Sequence, residues 1–305
     1  MRVCVIANSN AGRGRVRRWM RSLESAAAPD VNWRRTAGPR HATQLTRDAI
    51  AEGCDVIAAA GGDGTIHEVV QALMQVPDPP VLAVLPGGSA NDFVHSVQRQ
   101  FGWRSLRDGT SDAVDVGEVR TADGGVRWFI NSLGFSLSAA VGRESARLAG
   151  WPGWVRYGLA TWRALRTTSV VELAMAADAA PSDVRGTLLL ALLLGRREGG
   201  FTMAPDASLN DGWFDVVHAG PLSRLRAVSM LPRLLVSGPP RHDPAIQLSR
   251  CRRLRVTSAE VIPLHADGEL LTTSPQSPLN ADITLLPARL RVKACRLSAE
   301  AWPLR

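Results

Sequence analysis

Residues 56–92 read VIAAAGGDGTIHEVVQALMQVPDPPVLAVLPGGSAND. Two apolar runs, Val56 to Ala60 and Val81 to Leu85, end abruptly in glycines. Gly61-Gly62-Asp63-Gly64-Thr65 follows the first; Gly87-Gly88-Ser89 and then Asn91-Asp92 follow the second. Short apolar runs with β-branched residues predict parallel strands buried on both faces. Directly after the first turn, Ile66, Val69, Val70 and Leu73 repeat at helical spacing. Strand, glycine turn and helix start together make an anion site. Glycine lets the backbone approach a ligand, the amides point outward, and the helix dipole favours negative charge. One such turn is as readily a tight βα connection. Two, each with a hydroxyl and an acid, point to a phosphate clamp at the carboxyl end of a parallel sheet. Neither turn ends in Gly-Lys-Ser/Thr and neither carries the six-residue dinucleotide fingerprint, which disfavours a P-loop NTPase and a Rossmann dehydrogenase.

Outward from this segment, strands are predicted at 2–7, 31–35, 55–60 and 81–85, and helices at 14–27, 40–52, 64–75 and 90–98. That alternation is an α/β pattern with a parallel sheet. Beyond Asp115 the pattern changes to strands at 126–132, 169–176, 185–194, 213–219, 252–257 and 260–266, with helices near 137–149, 155–166 and 222–236. These predict an antiparallel, sandwich-like second domain. Leu290 to Ala294 reads as a strand returning to the first domain. The expected division is therefore 1–118 with 287–305, and 119–286. A chain of 305 residues can bury two modest cores.

Met1-Arg2 leads straight into a strand, with no secretory signal, and Leu188 to Leu194 is far shorter than the about 20 residues that span a bilayer. The expected compartment is the cytoplasm. The scattered cysteines Cys4, Cys54, Cys251 and Cys295 are then reduced structural thiols. The net charge of +8 is almost entirely arginine, Lys293 being the only lysine. No nucleic-acid motif or basic–aromatic interleaving accompanies it, so nucleic acid is not an expected partner. Attraction to an anionic membrane surface fits the charge, as does a plain compositional preference for arginine.

Further motifs follow in a fixed order. They are Asn8 to Gly12, Pro86-Gly87-Gly88-Ser89-Ala90-Asn91-Asp92-Phe93, Asp115-Val116-Gly117, Phe129-Ile130-Asn131, Ala204-Pro205-Asp206-Ala207, Asp211-Gly212-Trp213-Phe214-Asp215 and Asp267-Gly268-Glu269. The ordered set, spanning nearly the whole chain, resembles the diacylglycerol kinase catalytic family, which includes bacterial lipid kinases and the sphingosine and ceramide kinases.

The resemblance implies an N-terminal α/β domain and a C-terminal antiparallel domain. It also implies an ATP- and Mg²⁺-dependent lipid kinase acting on a hydroxyl of a diacylglycerol-like or sphingoid lipid. Its nucleotide contacts would be Asn8, Gly12, Thr36, Gly61, Gly62, Asp63, Gly64, Thr65, Ser89, Asn91, Asp92 and Asp115, with the three acids forming a network around Mg²⁺. A structural metal is implied at Asp211 with the carbonyls of Ser208 and Trp213. The general base would be Asp267, with Glu269 or Asp63 as alternatives. By the residues alone, Asp92 caps a helix as readily as it catalyses, Asn210-Asp211-Gly212 is a turn, and Asp267-Gly268 is a hairpin pair. Departures from the family pattern are Ser9 for proline, Ser89 for threonine, His67 for asparagine and His95 for arginine.

Two other readings remain: an NAD-kinase-like small-molecule kinase, and a non-catalytic nucleotide- or lipid-binding regulator. A lipid kinase would touch a membrane peripherally, and the family also implies the option of a homodimer. Trp151, Trp154 and Trp162, and the arginines of Leu222 to Val236, suit a membrane interface. Helix packing is the commoner use of both.

Overall fold

The computed structural model describes residues 1–14, 16–17, 31–88, 90–97, 106, 110–148, 151, 153–271 and 278–294. Ser89, Cys295 and most of the predicted helix 14–27 lie outside these residues. The chain divides into two units, 1–114 with 288–305, and 115–287.

In the first unit, strands β1 (Val3–Ala7), β2 (Val31–Arg35), β3 (Val56–Gly61) and β4 (Val81–Pro86) form a parallel sheet in the order β2-β1-β3-β4. Helices α1 (His41–Ala51), α2 (Asp63–Leu73) and the short α3 (Asp92–Ser96) follow β2, β3 and β4. Alternation splits β3 between the two faces of the sheet, and both are covered: Val56, Ala58 and Ala60 join one core cluster, while Ile57 and Ala59 are equally buried. Such double burial is why these strands read as unbroken apolar runs. Ile66, Val69, Val70 and Leu73 form the buried stripe of α2. α1 has no cap of its own, its first residue following Arg40 in the left-handed region. Glu68 on α2 supplies the cap, accepting from the amides of Arg40 at 2.8 Å and Ala42 at 3.0 Å.

The second unit is antiparallel. Its strands are β5 (Asp112–Thr121), β6 (Val126–Phe129), β7 (Ser132–Ser136), β8 (Val171–Ala177), β9 (Asp183–Thr187), β10 (Leu189–Leu193), the short β11 (Arg197–Glu198) and β12 (Phe201–Thr202), β13 (Phe214–Ala219), β14 (Ile246–Cys251), β15 (Arg253–Thr257), β16 (Leu264–Ala266), β17 (Glu269–Leu271) and β18 (Asn280–Ala294). One ladder runs β14-β13-β10-β7-β16-β17. In another, β15 lies between β8 and the start of β18. The end of β18 belongs to the first unit, where Val292 to Ala294 pair in parallel with β4. Helices α4 (Leu137–Arg147), α5 (Gly153–Thr167) and α6 (Arg224–Val236) complete the second unit.

Four sequence expectations need correction. The strand expected over 126–132 is two strands, because the amides of Ile130 to Ser132 turn to a carboxylate instead of a ladder. The strand expected over 185–194 breaks at Leu188, whose amide donates to Ala219 O and whose carbonyl accepts from Leu137. The strand expected over 260–266 shrinks to β16, which follows Pro263, a residue with no amide to donate. The strand β5, which holds Asp115, is not among the predicted strands.

Candidate active site

The sequence candidates fall on both units. On the first, Asn8, Thr36 and the Gly61–Thr65 turn stand at the carboxyl ends of β1, β2 and β3. The amide of Asn8 donates to Ala60 O and that of Thr36 to Ala7 O, each at 2.9 Å, tying the three strand ends together. Gly12 takes φ 59° in the turn after β1. Asn8 Nδ2 donates to Thr65 Oγ1 at 3.3 Å, which leaves the hydroxyl proton of Thr65 for another acceptor.

The two glycine turns touch through their backbones. Gly87 N–H donates to Gly61 O at 2.6 Å. A Cβ on Gly88 would stand 2.7 Å from Gly62 Cα, and one on Gly62 would stand 3.1 Å from Gly88 Cα. Only glycine at both positions permits this approach. Asp63 fastens the turns together: its Oδ2 accepts the amide of Asn91 at 2.9 Å. Asn91 sits at φ 52°, ψ 42° and turns its side chain onto Gly88, accepting at 2.9 Å and donating at 3.1 Å. Its amide group is thus engaged in shaping the turn. The Thr65 amide is also committed, donating to Gly62 O at 3.0 Å. The amide cradle expected from Gly61 to Thr65 therefore narrows to its middle, at the positive end of α2. Asp92 is buried in the first turn of α3.

On the second unit, Asp267 and Gly268 take φ 50° and 87° in the hairpin between β16 and β17. The Asp267 carboxylate lies in a nest of amides. Its Oδ1 accepts from Asn131 at 2.9 Å and Ser132 at 3.0 Å, and its Oδ2 from Ile130 at 3.1 Å. Glu269 is exposed at the start of β17.

Behind this hairpin stands a polar trio without any local sequence signal. His265 Nδ1 accepts the Gly268 amide at 3.0 Å, which puts the ring proton on Nε2. Nε2 lies 2.7 Å from both Glu198 Oε1 and Ser138 Oγ, and Ser138 also donates to Glu198. Burial pushes the Glu198 carboxyl up, but the hydrogen bonds from His265 and Ser138 outweigh it and hold the group below its ordinary range. A side chain on Gly134 would collide with both Ser138 Oγ and His265 Nε2. Serine and glutamate meet on one ring nitrogen while a backbone amide takes the other. A nucleophilic triad needs them on opposite nitrogens, so the trio braces the hairpin and is not built for acyl transfer.

Asp115 Oδ2 accepts the Gly212 amide at 2.8 Å, and its own amide donates to Leu209 O at 2.7 Å, so it anchors the Asn210-Asp211-Gly212 turn. A carboxylate with two carbonyls suits a hard cation. Here, however, Arg250 lies 3.4 Å from Asp211 Oδ2 and 2.9 Å from Asp215 Oδ1. Its guanidinium already supplies positive charge beside Asp211, and the donor set implied at Ser208, Asp211 and Trp213 does not fit a resident metal well. Among the described residues no cluster of three or more His, Cys, Asp or Glu could hold one. Cys4, Cys54 and Cys251 are free and buried, and burial pushes the Cys4 and Cys251 thiols up to about 12. They are not nucleophiles at neutral pH. No helix of the described residues is long and apolar enough to cross a membrane.

Comparison with known proteins gives two family matches, the diacylglycerol kinase catalytic domain over residues 2–127 and the YegS C-terminal NAD kinase beta sandwich-like domain over 131–294. The diacylglycerol kinase of Bacillus subtilis (strain 168) is 30% identical over 239 residues, 75% of each chain. Among solved structures, a diacylglycerol kinase from Bacillus anthracis str. Sterne superposes with a TM-score of 0.69 at 19% identity, covering 95% of this chain and 96% of that one. Yeast NADH kinase shares the fold more distantly, with a TM-score of 0.55 at 12% identity over 99% of this chain and 85% of its own.

Proposed function

Because the chain belongs to the diacylglycerol kinase family, we propose that it transfers the γ-phosphoryl group of ATP to a hydroxyl of a diacylglycerol-like or sphingoid lipid. The observation that carries the reading is the backbone-to-backbone approach of Gly62 and Gly88 at the carboxyl ends of β3 and β4. Two glycine turns held together by Asp63 and Asn91 bring two stretches of main chain together at a helix N-terminus, which suits phosphate oxygens.

Phosphoryl transfer asks chiefly for positioning and charge neutralisation. The start of α2 and the Thr65 hydroxyl hold the phosphates, with Asn8 fixing Thr65. Asp63 and Asp92 are the carboxylates that would hold Mg²⁺, an oxygen donor set suited to a hard ion that neutralises phosphate charge when bound. Of the acids in the 267–269 hairpin, Asp267 has three of its about four acceptor positions engaged by backbone amides. It fixes the hairpin. Glu269, exposed beside it, is the acid of this hairpin to which we assign the proton of the acceptor hydroxyl. Because the acceptor resides in a bilayer, the enzyme works at a membrane surface.

The test is transfer from labelled ATP, with Mg²⁺ or chelator, to diacylglycerol, monoacylglycerol, sphingosine and ceramide in mixed micelles, with NAD as a soluble acceptor. Mg²⁺-dependent label in a lipid supports the proposal. Label in NAD alone moves the chain to small-molecule phosphorylation, and nucleotide binding with no transfer to any acceptor makes it a regulator.

A further inference from the structure

Helices α5 and α6 lie side by side on the second unit. Ala164 and Leu165 pack with Ala227 and Val228, Tyr157 shares a cluster with Leu231 and Leu234, and Arg224 donates to Arg166 O at 3.2 Å. Their outward stripes are unusual. On α6, Leu225, Ser229, Pro232 and Val236 follow helical spacing and are all exposed, Leu225 at 81% and Val236 at 82%. On α5, Trp162 is 45% exposed, next to exposed Arg163 and one turn before exposed Arg166. Trp151, just before α5, is 54% exposed, against the packing role expected for it; the Trp154 side chain lies outside the described residues.

Charge on these helices has one sign. α5 carries Arg156, Arg163 and Arg166, α6 carries Arg224, Arg226 and Arg233, and neither contains an acid. Arg226 is neutralised by Asp243 at 2.7 Å, and Arg156 lies over the Tyr157 ring at 4.6 Å. Arg163, Arg166, Arg224 and Arg233 remain as an exposed cationic set around the apolar stripe. A scattered exposed leucine has no meaning by itself. Apolar stripe, interfacial tryptophan and unbalanced arginine on one helix pair are together the composition of an element that lies in a lipid headgroup layer.

From this we infer that the α5–α6 face docks on an anionic bilayer, with Leu225, Val236 and Trp162 entering the interface and the arginines meeting lipid phosphates. The occupant is chosen by charge complementarity, since a neutral surface would leave four arginines unmatched. The inference rests on the lipid-kinase reading for its purpose, but not for its test.

The test is co-sedimentation of the full chain with extruded vesicles of equimolar phosphatidylglycerol and phosphatidylcholine, and of phosphatidylcholine alone, without nucleotide. The native chain binds the anionic vesicles, and binding weakens as salt rises past the range where screening acts within about 10 Å. The double variant L225E/V236E weakens binding at least ~10-fold. R166Q/R224Q also weakens it and flattens the salt dependence. V184E, at a 62% exposed valine on β9, leaves it unchanged. All three leave the melting temperature in place, because the replaced side chains are exposed. No binding to anionic vesicles, or equal binding by L225E/V236E, overturns the inference. So does a change of oligomeric state in that variant with vesicle binding intact, which would make a second copy the occupant. Equal binding to a short DNA duplex, insensitive to L225E/V236E, would reduce the face to unspecific charge and also overturn it. No turnover is measured, so failure here leaves the kinase reading standing, and failure of the lipid panel leaves this face standing.

Discussion

Replacing Asp267 by asparagine separates a structural carboxylate from a catalytic one. In the native hairpin Oδ1 accepts two amides and Oδ2 one, that of Ile130, a residue only 1% exposed. Asparagine keeps one acceptor oxygen and turns an NH₂ group toward the remaining amide. A buried N–H without an acceptor costs about 1–3 kcal/mol, and the two surviving bonds each lose about 1 kcal/mol when they cease to be charge-assisted. The sum is about 3–5 kcal/mol. At ~2–4 °C per kcal/mol for a domain of this size, Asp267→Asn melts about 6–20 °C below the native chain. Glu269→Gln, at an exposed site, melts where the native chain does, while turnover falls at least ~10²-fold. The assay is thermal unfolding by circular dichroism beside lipid phosphorylation at 20 °C or below, where about all of each variant is folded. If Asp267→Asn melts within ~2 °C of the native chain yet has lost turnover, the amide nest is not what the carboxylate is for. The base is then Asp267.

Three further expectations follow from particular contacts. Gly88→Ala puts a Cβ 2.7 Å from the backbone of Gly62 and forces the turns apart; overpacking of about 1–3 kcal/mol should appear as ATP affinity lowered ~10-fold in a titration, and unchanged affinity would refute the cradle. Glu68→Ala removes the acceptor of two amides at the start of α1 and lowers stability by about 1–2 kcal/mol in urea melts, with no effect expected if the cap is ornamental. Burial, and then the charge of Arg185, holds His218 below its ordinary 6.5 in the folded chain. The unfolded chain therefore binds the proton first, and stability falls as pH drops below 6.5 toward the folded value. Glu198, held low when folded, continues the loss below 4.5. His218→Gln should flatten the first part of this profile in melts across pH 5–7, and an unaltered slope would assign it elsewhere.

The parallel sheet was legible because β1, β3 and β4 are buried on both faces, so burial is written as uninterrupted apolar sequence. The glycine turns were legible because close backbone approach admits no other residue. Two strands with polar or exposed positions through their length, β5 and β14, were missed. β14 is exposed over four of its six residues, and β5 carries Asp112, Asp115 and Glu118 through its length. The break after Phe129 could not be read locally, because its cause, Asp267, is 137 residues from Ile130. Ser138, Glu198 and His265 were invisible for the same reason: 60 residues separate the first two and 67 the last two, and only the fold unites them. The part Asn91 plays in the turn was not legible, because a motif marks a residue as needed without saying whether ligand or turn needs it.

β18 has a consequence for how the protein is made. It runs from the antiparallel unit into the parallel sheet, where Val292 to Ala294 cover the flank of β4. Lys293, only 2% exposed, reaches Leu106 O at 3.4 Å from within that strand. On the ribosome the first sheet therefore cannot close when its own four strands have emerged. β4 waits as an open edge through the synthesis of some two hundred residues, at ~5–20 residues per second about 10–40 seconds. A domain that begins the chain is finished by one of its last strands, and until then it presents a ready template for pairing with a stray strand. Co-translational chaperoning should matter more for this sheet than for a contiguous one of equal size.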